Sequence, residues 1–462
     1  MLERCGVPTG SRCLLPLLVV LAAAVLAGSG SASSTLGTTT TLTSDVVHYL
    51  GAATLLGPVP ASRQITVGVV LEGANAAAED AYLAQLYDPS SSNYQQFLDP
   101  DAFNLQFGVP ATTYQAAQTW LTGAGLTVTP VEGATTYLLA TATAAQVSAA
   151  FGTPLNLYSA GGRTFYANAV APTVPASLPI QTVLGLNDYA YFVTPRVGKT
   201  GTTTTTTASA TGSSVPQTGA LSPQTLWSIY DQPSTNLGNG QTMAILGWGV
   251  TDGVVGDLRS FEQENALPQV PITTMYYGST STPDTSGDGA TVEWELDTQA
   301  STGMAPNVLG ETLYFAHHNT DADVLASIVG WVNDKKGPLQ ASASYGECEN
   351  IPAAEPAIGV DGIEAPGDQA LKQAAIEGRT LFSSTGDTGS SCPIVPVNTN
   401  GVATQVYPAL NYPSASTYAV AVGGTVLNSD GGNPPQRLTE TAWEFTGGGN
   451  SVAITRPDAP EK

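Results

Sequence analysis

The stretch Val308-Leu-Gly-Glu-Thr-Leu-Tyr-Phe-Ala-His-His-Asn-Thr-Asp-Ala-Asp-Val-Leu-Ala-Ser-Ile-Val-Gly-Trp-Val-Asn-Asp-Lys-Lys-Gly-Pro-Leu-Gln-Ala-Ser-Ala-Ser-Tyr345 decides the fold. Val308 to Phe315 reads as a buried strand, Asp321 to Asn333 as a helix, and Leu339 to Tyr345 as a second strand. The alternation continues outward. Thr242 to Gly247 and Thr380 to Ser384 read as strands, and Thr291 to Thr302 and Asp368 to Glu377 as helices. Strand-helix-strand order predicts an α/β domain, a parallel sheet with helices on both faces. In such folds the chemistry gathers beyond the carboxyl ends of the strands, where Tyr345-Gly346 and Gly386-Asp387 are expected.

Upstream, residues 45–195 mix helix (Ala76 to Leu86, Ala111 to Thr122, Ala144 to Phe151) with strand (Leu126 to Val131, Thr136 to Ala142), which predicts a separate α+β domain. A Thr/Ser-rich linker at 196–214, with six threonines from Thr202 to Thr207, separates it from the block at 215–462. At the start, Arg4 and Arg12 precede the apolar run Leu14 to Ala27, and Gly30-Ser31-Ala32 offers small residues for cleavage. Residues 1–32 therefore read as a signal peptide, and the chain as secreted and extracellular, with no membrane partner once the signal is cut. The formal charge of -23 disfavours nucleic acid and anionic membranes as partners. Cys348 and Cys392, left as a pair in an oxidising compartment, are expected to form a disulfide.

Three places carry candidate chemistry. Glu293 and Asp297 are four residues apart, neighbours on one face of a helix. Carboxyls that close can share a proton, which raises one pKa and makes a general base with an orienting partner. Read alone, the spacing favours a solvated acidic face. Asp387 follows a short apolar strand; held neutral it could donate to a developing oxyanion, or it could simply cap a turn beside a glycine. Ser344-Tyr345-Gly346 ends a strand and could present backbone groups to an extended peptide substrate. His48, His317 and His318 are the only histidines, and His317-His318 reads as structural. A Ser-His-Asp triad or a histidine metal site has little to draw on.

Together these pieces resemble the sedolisins, serine-carboxyl peptidases with a subtilisin-like fold. The front block is similar to the family's kumamolisin-type activation propeptide at Asp88-Pro-Ser-Ser-Ser-Asn-Tyr94-Gln-Gln-Phe97-Leu and Ala150-Phe-Gly-Thr-Pro154. The second block opens on Leu221-Ser-Pro-Gln-Thr-Leu226. It continues through Glu293-x-x-x-Asp297, Ser344-Tyr-Gly, Ser384-Thr-Gly-Asp387 and Glu440-Thr-Ala-Trp443 to Gly447-Gly-Gly449. The resemblance implies a secreted, acid-acting serine-type endopeptidase precursor, with peptide substrates and a propeptide docked on its own peptidase domain. It makes Glu293 the general base, Asp297 its partner, Asp387 the oxyanion donor, and Ser344, Tyr345 and Gly346 the substrate edge.

The chain also departs from that pattern. The family's serine stands in a Gly-Thr-Ser segment several tens of residues beyond the triple glycine, followed by a calcium loop. Gly424-Thr425-Val426 has valine in the serine's place, and Ser451 belongs to a different segment. The expectation is a C-terminally truncated domain, inactive alone, with the calcium site beyond residue 462 and no metal or cofactor in this chain. The alternatives are a non-catalytic secreted protein that binds peptide or a partner, and a glycosidase using Glu293 and Asp297. The last is disfavoured, because carboxyls one turn apart face the same way and cannot flank a sugar.

Overall fold

The computed structural model describes residues 38–47, 50, 53–160, 163–189, 191–194, 221–233, 235–278, 283, 290–349, 362–390, 392–393, 406–407 and 409–451. The expected signal peptide, His48 and the linker at 196–214 lie outside these residues.

In the front block the chain forms β1 (Thr39–Thr41), β2 (Thr54–Pro58), β3 (Gln64–Leu71), α1 (Ala76–Leu86), α2 (Pro100–Phe107), α3 (Ala111–Gly123), β4 (Thr127–Pro130), β5 (Tyr137–Thr143), α4 (Ala144–Ala150), β6 (Leu155–Ala160), β7 (Arg163–Asn168), β8 (Thr173–Pro175) and β9 (Ile180–Leu184). Its main sheet is antiparallel, in the order β4-β5-β3-β9. Local chemistry sets the helix starts. Asp99 accepts from the Ala102 amide with Pro100 in the first turn, and Thr143 with Gln146 makes a capping box.

The second block runs α5 (Pro223–Ile229), β10 (Thr242–Trp248), α6 (Val254–Glu264), β11 (Ile272–Tyr277), α7 (Ala290–Met304), β12 (Gly310–Ala316), α8 (Asp321–Asn333), β13 (Gln340–Ala343), β14 (Glu347–Cys348), α9 (Glu364–Ile376) and β15 (Thr380–Ser384). It ends with β16 (Cys392–Pro393), β17 (Val406–Tyr407), β18 (Asn411–Tyr412), β19 (Ala419–Val422), β20 (Thr425–Ser429) and β21 (Arg437–Ala442). Six strands form one sheet in the order β11-β12-β10-β13-β15-β19, every neighbouring pair parallel. Helices α5, α6 and α7 pack together on one face, and α8 and α9 on the other. This is the expected fold class.

Differences from the sequence reading are local. The strand expected at Leu339 to Tyr345 stops at Ala343, because Ser344 turns toward α7 and Tyr345 enters the core. Helix α9 starts a turn earlier than Asp368, since Pro366 sits in a first turn whose amides have no helical acceptor.

Every residue of α8 is buried. Its sequence is apolar nearly all round, and such a helix must be covered on all sides. One side meets β10, β11 and β12, and the other meets β3 and β5 of the front block. Gly330 lets the Tyr277 ring lie against the helix where a Cβ would collide with it. Val70, Tyr137, Leu139, Leu184 and Phe192 thus share one buried cluster with Leu313, Phe315 and Trp331. Polar contacts frame this seam. Tyr137 donates to the Ala322 carbonyl at 2.6 Å, Gln369 to the Leu71 carbonyl at 3.2 Å, and Tyr87 to the Ala375 carbonyl at 3.2 Å. Lys372 pairs with Asp80 at 2.6 Å. No helix among the described residues is long and apolar enough to cross a membrane.

Candidate active site

An aromatic chain fixes the start of α7. Phe192 meets Tyr345 edge-on with centroids 5.2 Å apart, Tyr345 meets Trp248 at 5.5 Å, Trp248 meets Trp294 at 5.2 Å, and Trp294 meets Phe315 at 5.4 Å. Trp294 Nε1 donates to the Trp248 carbonyl at 2.9 Å, tying α7 to the carboxyl end of β10. With Trp294 anchored, its neighbour Glu293 turns inward and is only 6% exposed. A solvated acidic face does not describe this pair.

Ser344, just past β13, donates to Asp297 Oδ1 at 2.8 Å and is also a hydrogen-bond partner of Glu293. Asp297 Oδ2 is shut off from solvent with no partner among the described residues. Burial, then the charges of Asp297 and Asp387, push Glu293 up to about 8, with the Ser344 bond opposing. Burial likewise pushes Asp297 up to about 7. Burial is therefore the leading cause, ahead of the carboxyl pairing expected from the i, i+4 spacing.

Asp387 lies close enough to Glu293 to raise it. Its loop is held from behind. Gly447 donates to the Gly386 carbonyl at 2.8 Å, Gly389 to the Phe445 carbonyl at 3.1 Å, and Asn411 Nδ2 to the Thr385 carbonyl at 2.9 Å. A Cβ on Gly447 would collide with that same Thr385 carbonyl, so the first glycine of Gly447-Gly-Gly449 serves close approach.

Gly346 pairs antiparallel with Val193, each amide donating to the other's carbonyl at 3.0 Å. Beside it, Phe192 N donates to the Asn319 carbonyl and Asn319 Nδ2 to the Phe192 carbonyl, both at 2.9 Å. The tail of the front block thus lies as an extended strand along the edge expected to take substrate.

Among candidate serines, Ser383 is fully buried in β15 with no hydroxyl partner among the described residues, and Ser451 donates to buried Glu349. Cys348 is disulfide-bonded, and its strand lies against β16, which holds Cys392. The Cys392 side chain is outside the described residues. His318 pairs with Asp323 at 2.7 Å, and His317 is buried against Tyr276, so both hold structure. Among the described residues no three His, Cys, Asp or Glu side chains gather as metal ligands would.

The sequence reading missed three buried acids. Glu311 accepts from Ser301 at 2.6 Å and is pushed up to about 8 by burial. Asp321 and Glu347 are hydrogen-bonded to each other, and burial raises both. Only the position of Asp321 at a helix start and of Glu347 beside Gly346 hinted at them.

Residues 52–189 match the family described as Pro-kumamolisin, activation domain. Over 437 residues the chain is 29% identical to xanthomonalisin from Xanthomonas sp. (strain T-22), taking in 88% of this chain and 50% of that protein. It is 27% identical to sedolisin from Pseudomonas sp. (strain 101), over 82% of this chain and 65% of that protein. It is 26% identical to kumamolisin from Bacillus sp. (strain MN-32), over 88% of this chain and 71% of that protein. The chain spans half the length of the first of these relatives and under two thirds of the second.

Proposed function

Because this chain belongs to the sedolisin family, as a precursor with its activation domain in front, we propose that residues 215–462 supply most of an endopeptidase site held shut by residues 45–195. The observation that carries the reading is Glu293 and Asp297, drawn together by Ser344, with Asp387 close enough to raise Glu293. Glu293 takes the proton of the attacking group, Asp297 orients Glu293, and Asp387, protonated, donates to the oxyanion. An extended peptide pairs with Gly346 as Val193 does now. Such strand pairing suits a peptide and favours peptidase over glycosidase. The attacking serine is not among residues 1–462 in a Gly-Thr-Ser setting.

Acid action and secretion are the finer parts of the proposal. Buried as described, Glu293 and Asp297 hold their protons through the acid range, so a base at about pH 4 needs water to reach them. We assign that opening to the departure of residues 191–194 from beside Gly346. Secretion rests on the leader at 1–32. The Cys348 bridge is assigned to Cys392, and a non-reducing peptide map linking Cys348 elsewhere would overturn it. For the activity, the genomic frame past codon 462 is read and the chain expressed with any Gly-Thr-Ser segment that follows. Casein cleavage in acid, lost in Glu293→Ala and Asp387→Ala, supports the reading; cleavage of polysaccharide instead overturns it.

A further inference from the structure

Two residues of the tail, Phe192 and Val193, are gripped from both sides through their backbone. The main-chain carbonyl of Asn319, in the turn after β12, accepts from the Phe192 amide, and Asn319 Nδ2 donates to the Phe192 carbonyl, both at 2.9 Å. Gly346, past the end of β13, exchanges amide and carbonyl bonds with Val193 at 3.0 Å. Strands β12 and β13 flank β10 in the sheet, so the tail crosses the carboxyl end of β10. Side chains alternate along an extended segment, and these two meet opposite surroundings. Phe192 is 0% exposed and stands edge-on to Tyr345, in the same buried cluster as Trp248. Val193 is 46% exposed.

We propose that the seat of Phe192 is a specificity pocket for an aromatic side chain of the substrate, with Asn319 as a further substrate-binding residue. The proposal rests on the peptidase reading, in which an extended peptide takes the place of residues 191–194. Such a peptide makes the same backbone bonds whatever its sequence, because only its main-chain atoms take part. Its sequence is read where a side chain is enclosed. The residue paired with Gly346 is then open to most side chains. The residue before it has to fill a space shaped to an aromatic ring, and a small side chain there leaves that space empty.

Tyr345 ties this pocket to the acids. It follows Ser344, which donates to Asp297 at 2.8 Å, and precedes Gly346. Its ring also meets Trp248, which meets Trp294 next to Glu293. A ring in the seat thus completes the row of aromatic contacts that reaches α7. Tyr191 differs. Its ring lies under the guanidinium of Arg163, 4.2 Å from the ring centroid, and Arg163 belongs to the front block. That contact stays with the propeptide, so the second block selects at the Phe192 position and not at the one before it.

The experiment is fluorescence-anisotropy binding of labelled synthetic peptides to the full chain, with its own seat vacated by Phe192→Ala. Val193→Pro, which loosens the tail without emptying the core, is the second host should Phe192→Ala not fold. The peptide Ala-Tyr-Phe-Val-Thr should bind about tenfold or more tightly than Ala-Tyr-Ala-Val-Thr, as for a buried aromatic anchor. Ala-Tyr-Phe-Ala-Thr should stay within about fivefold of the first peptide, as a rim contact does. Ala-Tyr-Phe-Pro-Thr, which has no amide to donate to Gly346, should bind more weakly. Asn319→Ala added to the host should weaken the aromatic and alanine peptides by the same factor, about fivefold, and unchanged affinities would remove Asn319 from the site. Equal binding of the aromatic and alanine peptides, with the proline peptide weak, overturns the pocket and leaves the peptidase reading standing. A proline peptide that binds as tightly as the first removes the pairing with Gly346, and the substrate edge of the peptidase reading falls with it. Binding of no peptide to either host overturns pocket and edge alike.

Discussion

Helices α7 and α8 flank one sheet and both carry acids near their starts, yet the acids meet opposite fates. Helix α8 is covered on both sides, and its acids find structural partners: Asp321 with Glu347, and Asp323 with His318 at 2.7 Å. Helix α7 is covered on one side only, with Val292 and Leu296 54% and 50% exposed on the other. Its inward acids, Glu293 and Asp297, meet a single serine hydroxyl and one another. The difference lies in what the fold places opposite each helix. Both sets keep buried oxygens without a partner among the described residues, so the distinction is one of place: the acids of α8 are enclosed between two packed faces, and those of α7 stand at the carboxyl ends of strands.

The comparison can be broken most forcefully through packing. Trp331 of α8 is fully buried and donates to the Pro338 carbonyl at 2.8 Å. Trp331→Ala should cost about 3–5 kcal/mol, whereas Leu296→Ala on the open side of α7 should stay within about 0.5 kcal/mol. Urea denaturation of both variants measures this, and similar losses would erase the distinction.

Acidity sharpens it next. Burial raises Glu293 and Glu311 to about 8 and Asp297 and Asp321 to about 7. Folded-state values above the unfolded ones mean stability that is full below about pH 4 and lost as pH rises through 7 to 8. Stability should fall by several kcal/mol from pH 5 to 8, since each such group alone removes about 2 kcal/mol or more over that range. Asp321→Asn should flatten that fall, and stability that rises with pH instead would contradict the burial argument.

The seam between the blocks gives smaller effects. Val193→Pro removes the amide that donates to Gly346, and should weaken the tail's hold by about 1 kcal/mol. Faster limited proteolysis after residue 194 would report it. Lys372→Met should cost under about 1 kcal/mol, less still in high salt, because Asp80 is largely exposed.

Much of this was legible in the chain. Helix α8 was read residue for residue, Asp321 to Asn333, because its apolar run is continuous and Thr320 caps it. The strands β10, β12 and β15 were found by their apolar runs. β11 and β19 were missed, being edge strands: Thr273 and Thr274 interrupt the apolar run of β11, and β19 is only 4 residues long and largely exposed. Candidate site residues could be named from spacing and motif, but their surroundings could not. Ser344 lies 47 positions from Asp297, and Glu347 is likewise remote from Asp321. Only the sheet brings them together. Nor does composition tell a solvated acid from a buried one, as Glu293 shows.

The most direct test of the account is a casein digest by the purified polypeptide of residues 1–462 at about pH 3 to 5 and again near pH 7. On the proposed assignment of base, partner and oxyanion donor, with no serine in a Gly-Thr-Ser setting, cleavage should not exceed that of Glu293→Ala at any of these pH values. Clear cleavage abolished by Glu293→Ala would contradict the account and place an attacking group among these 462 residues.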